Sequence, residues 1–163
     1  MAFSALKYVC LCLVLLLTLM SSSGLACFGP KLFIGVAAGQ EGEMRFYLVS
    51  IYLHEKTGID STLIELKSGQ TGAEALAAKE IDLGFSSQPG VQATPVLHLG
   101  GQLYLYSGER PLNDLQFSTV GRTLVKLQQR LDTGGLESIR QKIQTGTLPA
   151  VAVRDFLLKN GWI

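Results

Sequence analysis

Cysteine is scarce in this chain, and the scarcity excludes a good deal. Cys10 and Cys12 fall inside an N-terminal apolar run, which leaves Cys27 alone in the remainder. One thiol closes no intramolecular disulfide, so the fold is not a disulfide scaffold. Histidine is as rare, with only His54 and His98. Two histidines and one cysteine supply no metal cluster, and no cofactor is implied. His54 stands in His54-Glu55-Lys56-Thr57 without the second histidine of a metalloprotease helix; a solvated side chain is expected there and at His98. The chain lacks a Gly-x-Ser-x-Gly elbow, a P-loop and a dinucleotide glycine fingerprint, so nothing argues for catalysis. It also lacks a charge excess: 14 Lys and Arg balance 13 Asp and Glu, which gives no electrostatic case for nucleic acid. There is one tryptophan, Trp162, where capping or core packing is expected.

The first residues have the anatomy of an export signal. Lys7 gives a positive start, Val9 to Met20 an apolar run, and Ser21 to Ala26 a small, polar end. The run is short for a membrane span, which needs roughly 20 residues; a retained single-pass anchor is the alternative. Gly24 and Ala26 place the cleavage between Ala26 and Cys27, so residues 1–26 are read as a signal peptide. Ser23-Gly24-Leu25-Ala26-Cys27 resembles a relaxed bacterial lipobox, with Gly24 where a branched aliphatic usually stands. Lipidation of Cys27 explains a lone thiol in an exported chain; an incidental free or intermolecularly paired thiol is the other reading. About 137 residues, 27–163, then form one domain. Its expected place is the periplasm or the extracytoplasmic membrane face, held there by a lipid anchor.

From Lys31 to Ser87 the sequence reads as strand, helix, strand, helix, strand. Leu32 to Ala37 is a short apolar run suited to a strand buried on both faces. Met44, Tyr47, Leu48, Ile51 and Tyr52 keep helical spacing, and Gly58 suits the helix stop. Thr62 to Leu66 is the next strand. Thr71 and Glu74 form a capping box before the second helix, and Asp82 to Ser86 is the third strand. Short right-handed crossovers would make these strands parallel. Val96 to Leu99 and Leu103 to Ser107 are two more strands, joined as a hairpin or by a crossover. Val120, Leu124, Leu127 and Leu131 mark a helix ended near Gly134-Gly135; Leu136, Ile139 and Ile143 mark a second. Val153, Phe156 and Leu157 mark a third, with Thr147 as a candidate N-cap, Pro149 in its first turn and Asn160-Gly161 as its stop. The fold class is therefore α/β: a three-layer, open, mostly parallel sheet flanked by helices.

These segments carry a family resemblance. Lys31-Leu32-Phe33-Ile34-Gly35, then Lys56-Thr57-Gly58-Ile59, then Ala75-Leu76 leading to Glu80-Ile81-Asp82-Leu83, resemble the first lobe of type II extracytoplasmic solute-binding proteins. The osmoprotectant branch (glycine betaine, choline, carnitine) is the nearest in pattern. Val151 to Gly161 is similar to that branch's C-terminal helix. The resemblance implies a non-catalytic solute-binding domain serving the membrane subunit of an ABC-type transporter. The chain departs from the family in having no room for a second lobe between Gln88 and Val120, so it reads as a single lobe. The branch's aromatic cage also lacks its tryptophans, and Phe85-Ser86-Ser87-Gln88-Pro89 stands where an aromatic-acidic-aromatic segment is usual.

Ligands of open α/β sheets sit beyond the carboxyl ends of the strands. Three segments end there: Gly39, Gln40 and Glu41; Ser68, Gly69, Gln70 and Thr71; and Ser86, Ser87 and Gln88. These are the candidate small-molecule contacts, with ordinary capped turns as the alternative. Tyr47 and Tyr52 are expected in the core, and Tyr104 and Tyr106 on one strand face. Because one lobe holds a solute poorly, a face-to-face homodimer is one expected arrangement. A ligand-free subunit docking on a membrane transporter or sensor is the rival.

Overall fold

The computed structural model describes residues 29–88 and 93–163. The expected signal peptide, its cleavage point and Cys27 lie outside these residues, as do Pro89 and Gly90.

The sheet begins as expected. β1 (Lys31–Val36), α1 (Gln40–Thr57), β2 (Asp60–Glu65), α2 (Gly72–Ala77) and β3 (Leu83–Ser86) follow in turn. β1 lies between β2 and β3 and is parallel to both. Leu32, Ile34 and Val36 alternate onto one face and are buried, whereas Phe33 remains partly exposed on the other. β1 is therefore not buried on both faces along its whole length.

β4 (Thr94–His98) and β5 (Tyr104–Ser107) form a hairpin, and β5 inserts beside β3, giving the order β2-β1-β3-β5-β4. β5 is antiparallel to both neighbours. The sheet is thus mixed rather than mostly parallel. The cause is the short link at residues 99–103: a parallel crossover needs about a dozen residues or more. Gly100 and Gly101, at φ 99° and 59°, reverse the chain there, in a region side chains disfavour.

The remaining elements are α3 (Glu109–Asn113), a 3-10 turn (Leu115–Phe117), α4 (Val120–Arg130), α5 (Thr133–Gln144) and α6 (Pro149–Lys159). Gly134-Gly135 do not end a helix. They lie in the first turn of α5, where the Asp132 carboxylate accepts the Gly135 N–H at 2.6 Å. Thr147 is not the N-cap of α6; Leu148 holds that position without a side-chain bond, and Pro149 follows at the first helical position. Gly161 ends α6 at φ 65°, after which the Trp162 N–H reaches back to the Leu157 carbonyl and its ring meets Phe156 edge-on.

The two faces of the sheet are unequally covered. On the front, α1, α4, α5 and α6 close a core built on Leu32, Ile34, Leu83, Phe85 and Leu105. α1 packs against β1 and β2 below it and against α4, α5 and α6 around it. That enclosure explains why Phe46, Val49 and Leu53 are buried along with Met44, Leu48 and Tyr52, a wider apolar surface than one stripe. On the back, the six-residue α2 covers Ile81 and Tyr106 with Ala75 and Leu76. Tyr104 and Tyr106 share this face, and the His98 ring stacks on Tyr104 at 4.5 Å.

Candidate functional site

At the carboxyl ends of the strands, the expected contact residues are placed as three separate turns, in which the side chains of Glu41, Gln70, Thr71 and Ser86 pair with other groups of the protein. Gly39 precedes α1 at φ 102° and gives no side-chain cap. Glu41, in the first turn, accepts from Arg140 Nη2 at 2.9 Å, from Arg140 Nε at 3.1 Å and from Arg45 Nη2 at 2.8 Å. The Arg140 bond, more than the nearby Arg45, holds its carboxyl below the usual carboxylate range against an opposing effect of burial. Arg140 belongs to α5, so Glu41 clamps two helices together. Ser68 and Gly69 are exposed in a turn. Gln70 accepts from the Lys67 N–H at 3.1 Å and donates to Glu80 at 2.8 Å. Thr71 and Glu74 form the expected capping box, each satisfying the other's backbone N–H. The Ser86 hydroxyl donates to the Gln88 carbonyl and accepts the Gln88 N–H, while Ser87 and Gln88 are exposed.

Small depressions remain there. One of about 170 Å³ lies between Gly39, Glu43, Tyr47 and Leu63, and one of about 150 Å³ touches Gln40, Glu41 and Arg140. Ligand pockets usually run from about 300 to 1,000 Å³.

A larger cleft, of about 590 Å³, opens at the amino edge of β1 and β3. Phe33, Leu76 and Ile81 supply its apolar surface. Lys79 stands on the wall where α2 turns into β3; Glu109, Asn113 and Asp114 stand on the α3 wall. α3 reaches this position because β5 runs back toward the amino ends of β1 and β3, pairing Ser107 with Leu83.

Asp82 and Arg110 anchor the cleft. Asp82 is 6% exposed and accepts from Arg110 Nε at 2.7 Å, from Arg110 Nη2 and from the Phe33 N–H at 2.8 Å. Arg110 Nη2 also donates to the Lys31 carbonyl at 2.7 Å. The guanidinium lies over the Phe117 ring at 4.9 Å and the Phe33 ring at 5.6 Å. The Asp82 bond raises the Arg110 pKa further above its ordinary value. A forked ion pair with aromatic faces on it is a rigid arrangement. The sequence gives no local signal for this pair, because Asp82 and Arg110 are far apart in the chain.

The other polar candidates are accounted for. His54 Nδ1 lies 3.0 Å from Asp60, with both side chains half exposed. Among the described residues, no cluster of His, Cys, Asp and Glu can hold a metal ion, and no helix is long and apolar enough to cross a membrane. No protein family, curated protein or solved structure matches this chain.

Proposed function

We propose that the chain is an exported, non-catalytic binding domain for a small solute, of the kind that serves an ABC-type transporter, and that the solute lies in the cleft at the amino edge of the sheet. One observation carries this reading: the cleft has the volume of a ligand pocket, whereas the carboxyl-end depressions do not. The segment order that resembles the solute-binding lobe supports the same reading. The lining is complementary to a small zwitterion with an apolar body, of which glycine betaine is one. Lys79 would meet its anion, its neighbour Glu80 being taken up by Gln70 and Lys67, while Glu109 and Asp114 would meet its cation and Leu76 and Ile81 its methyl and methylene groups. Arg110 already lies over the Phe33 ring, so cation–π binding in an aromatic cage is not part of the proposal.

The test is thermal unfolding of the protein against quaternary amines, amino acids, carboxylates and phosphate. A solute at a hundred times its dissociation constant should stabilise the fold by about 2.7 kcal/mol. The shift should disappear in Lys79→Glu. Silence across the panel from a cooperatively unfolding sample would overturn the solute reading. It would favour the second reading, a subunit that docks on a membrane transporter or sensor. The observation behind that reading is Leu115, 90% exposed in the segment that follows the α3 wall.

A further inference from the structure

α4 carries charge of one sign only. Arg122, Lys126 and Arg130 stand four residues apart along the helix and are exposed, so they share one stripe, turned away from the buried Val120, Leu124 and Leu127. The helix contains no Asp or Glu. Among the described residues none of the three enters an ion pair, whereas Arg45, Arg110, Arg140 and Arg154 each have a carboxylate partner. For folding, this placement is unfavourable. Like charges four residues apart repel along a helix, and Arg122 sits in the first turn, where the macrodipole disfavours a cation. A stripe that costs stability and finds no counter-charge within the protein is complementary to an anionic surface outside it.

Apolar side chains accompany it. Val125 is 52% exposed in the same helix, and Leu115 is 90% exposed in the 3-10 turn that leads into α4. Basic side chains with exposed aliphatic ones among them suit a lipid interface, which takes up both. The position in the fold agrees. Arg110 bonds the Lys31 carbonyl at 2.7 Å and lies 4.9 Å from the ring of Phe117, the last residue of that 3-10 turn. α4 thus starts at the corner where the chain enters the sheet. The apolar run from Val9 to Met20 joins the sheet at the same corner, through residues 21–30. A retained anchor or a lipid on Cys27 would each hold that corner against a bilayer.

We infer that the α4 stripe is a peripheral membrane contact, in which Arg122, Lys126 and Arg130 lie on anionic lipid headgroups and Leu115 enters the interface. The row spans about 12 Å along the helix axis, longer than a single small anion and matched by an extended charged surface. A basic side chain near an anionic membrane is worth roughly fivefold in affinity, so the three together should give at least tenfold. The contact does not depend on any solute in the amino-edge cleft.

Binding of the full chain to vesicles tests the inference, with phosphatidylcholine alone compared with phosphatidylcholine containing about one quarter phosphatidylglycerol. The apolar start of the chain can hold it on both, so the gain from anionic lipid is the quantity read. The gain should be at least tenfold at about 0.05 M salt and should vanish at about 0.5 M, where screening confines the attraction to a few ångströms. Lys126→Glu should remove most of the gain and also raise the unfolding temperature, because it turns two repulsive pairs of α4 into attractive ones. Lys159→Glu, an equal change of net charge at an exposed position of α6, should leave the gain intact. A polarity-sensitive fluorophore on Val125→Cys, with the native cysteines changed to serine, should shift to the blue on anionic vesicles. One on Ser68→Cys, at the carboxyl edge, should not. Equal binding to both lipids with no shift at Val125 overturns the inference. So does a gain that Lys126→Glu leaves intact, or one that Lys159→Glu removes equally. Binding of polyglutamate through the stripe, without a gain from anionic lipid, would also overturn it and assign the stripe to an acidic protein.

Discussion

At Asp82 one carboxylate ties three distant parts of the chain together. It receives the Phe33 N–H of β1 and the Arg110 fork of α3, and Arg110 in turn holds the Lys31 carbonyl. Removing the carboxylate leaves a backbone N–H and a guanidinium without their acceptor. Breaking a buried pair typically costs about 3–5 kcal/mol. Arg110 keeps partial access to water, so Asp82→Ala should cost about 3 kcal/mol, the low end of that range, as measured by urea unfolding. A cost under about 1 kcal/mol would mean that Arg110 stacking on Phe33 and Phe117 holds the corner alone. Such a pair could not be read from the sequence, because nothing local fixes which residue an isolated Asp will meet. The Thr71–Glu74 capping box was legible for the opposite reason: both partners and both backbone groups lie within four consecutive residues, so the geometry follows from the helix start itself.

Among the elements, α2 depends on absence of a side chain. A Cβ on Gly72 would lie 2.9 Å from the Phe85 nitrogen and closer still to the Phe85 carbonyl oxygen, and one on Gly84 would lie 2.9 Å from the Gly72 carbonyl oxygen. The start of α2 therefore rests directly on the β3 backbone, which cannot yield as a flexible side chain would. Gly72→Ala should destabilise the protein by about 2–3 kcal/mol, near the upper end of overpacking costs, and should raise hydrogen exchange in α2 before that in α1. Equal exchange in both helices would contradict this local account. The α1–α5 clamp gives a different signature. Glu41 has a lowered folded pKa, so its contribution is present above the unfolded carboxyl value of about 4.3 and is lost as pH falls through the folded value. Glu41 still touches water, so the gap between wild type and Glu41→Gln at pH 7 should stay under about 1 kcal/mol. That gap should close below about pH 4; a gap unchanged at pH 3 would assign the loss to packing. Helix existence was legible from apolar spacing, but two boundaries were not. Gly134-Gly135 looked like a stop, while Asp132 just before them was the start signal. The strand patterns of β4 and β5 alone do not specify whether they join as a hairpin or by a crossover; the short Gly100-Gly101 link does.

For the whole molecule, the parallel β1-β2-β3 half followed from alternating strand and helix patterns. The mixed half reflects one antiparallel insertion, and that insertion also moved the large cleft. Strand-end reasoning pointed to the carboxyl edge, where Glu41, Gln70, Thr71 and Ser86 bond to Arg140, Glu80, Glu74 and Gln88 respectively. The cleft at the amino edge exists because β5 returns the chain there and α3 then roofs Phe33. No periodicity in the sequence encodes that return. The same topology makes the last helix a structural partner of the first. Leu157 and Val153 of α6 are fully buried, and α6 packs against α1, whose Leu48 and Leu53 are buried as well. A ribosome adds about 5–20 residues per second, so roughly 5–20 s separate the synthesis of Leu53 from that of Leu157. Throughout that interval α1 lacks its lid, and the front core cannot close before α6 is made. The front core therefore closes late relative to the β1-β2-β3 half that it covers.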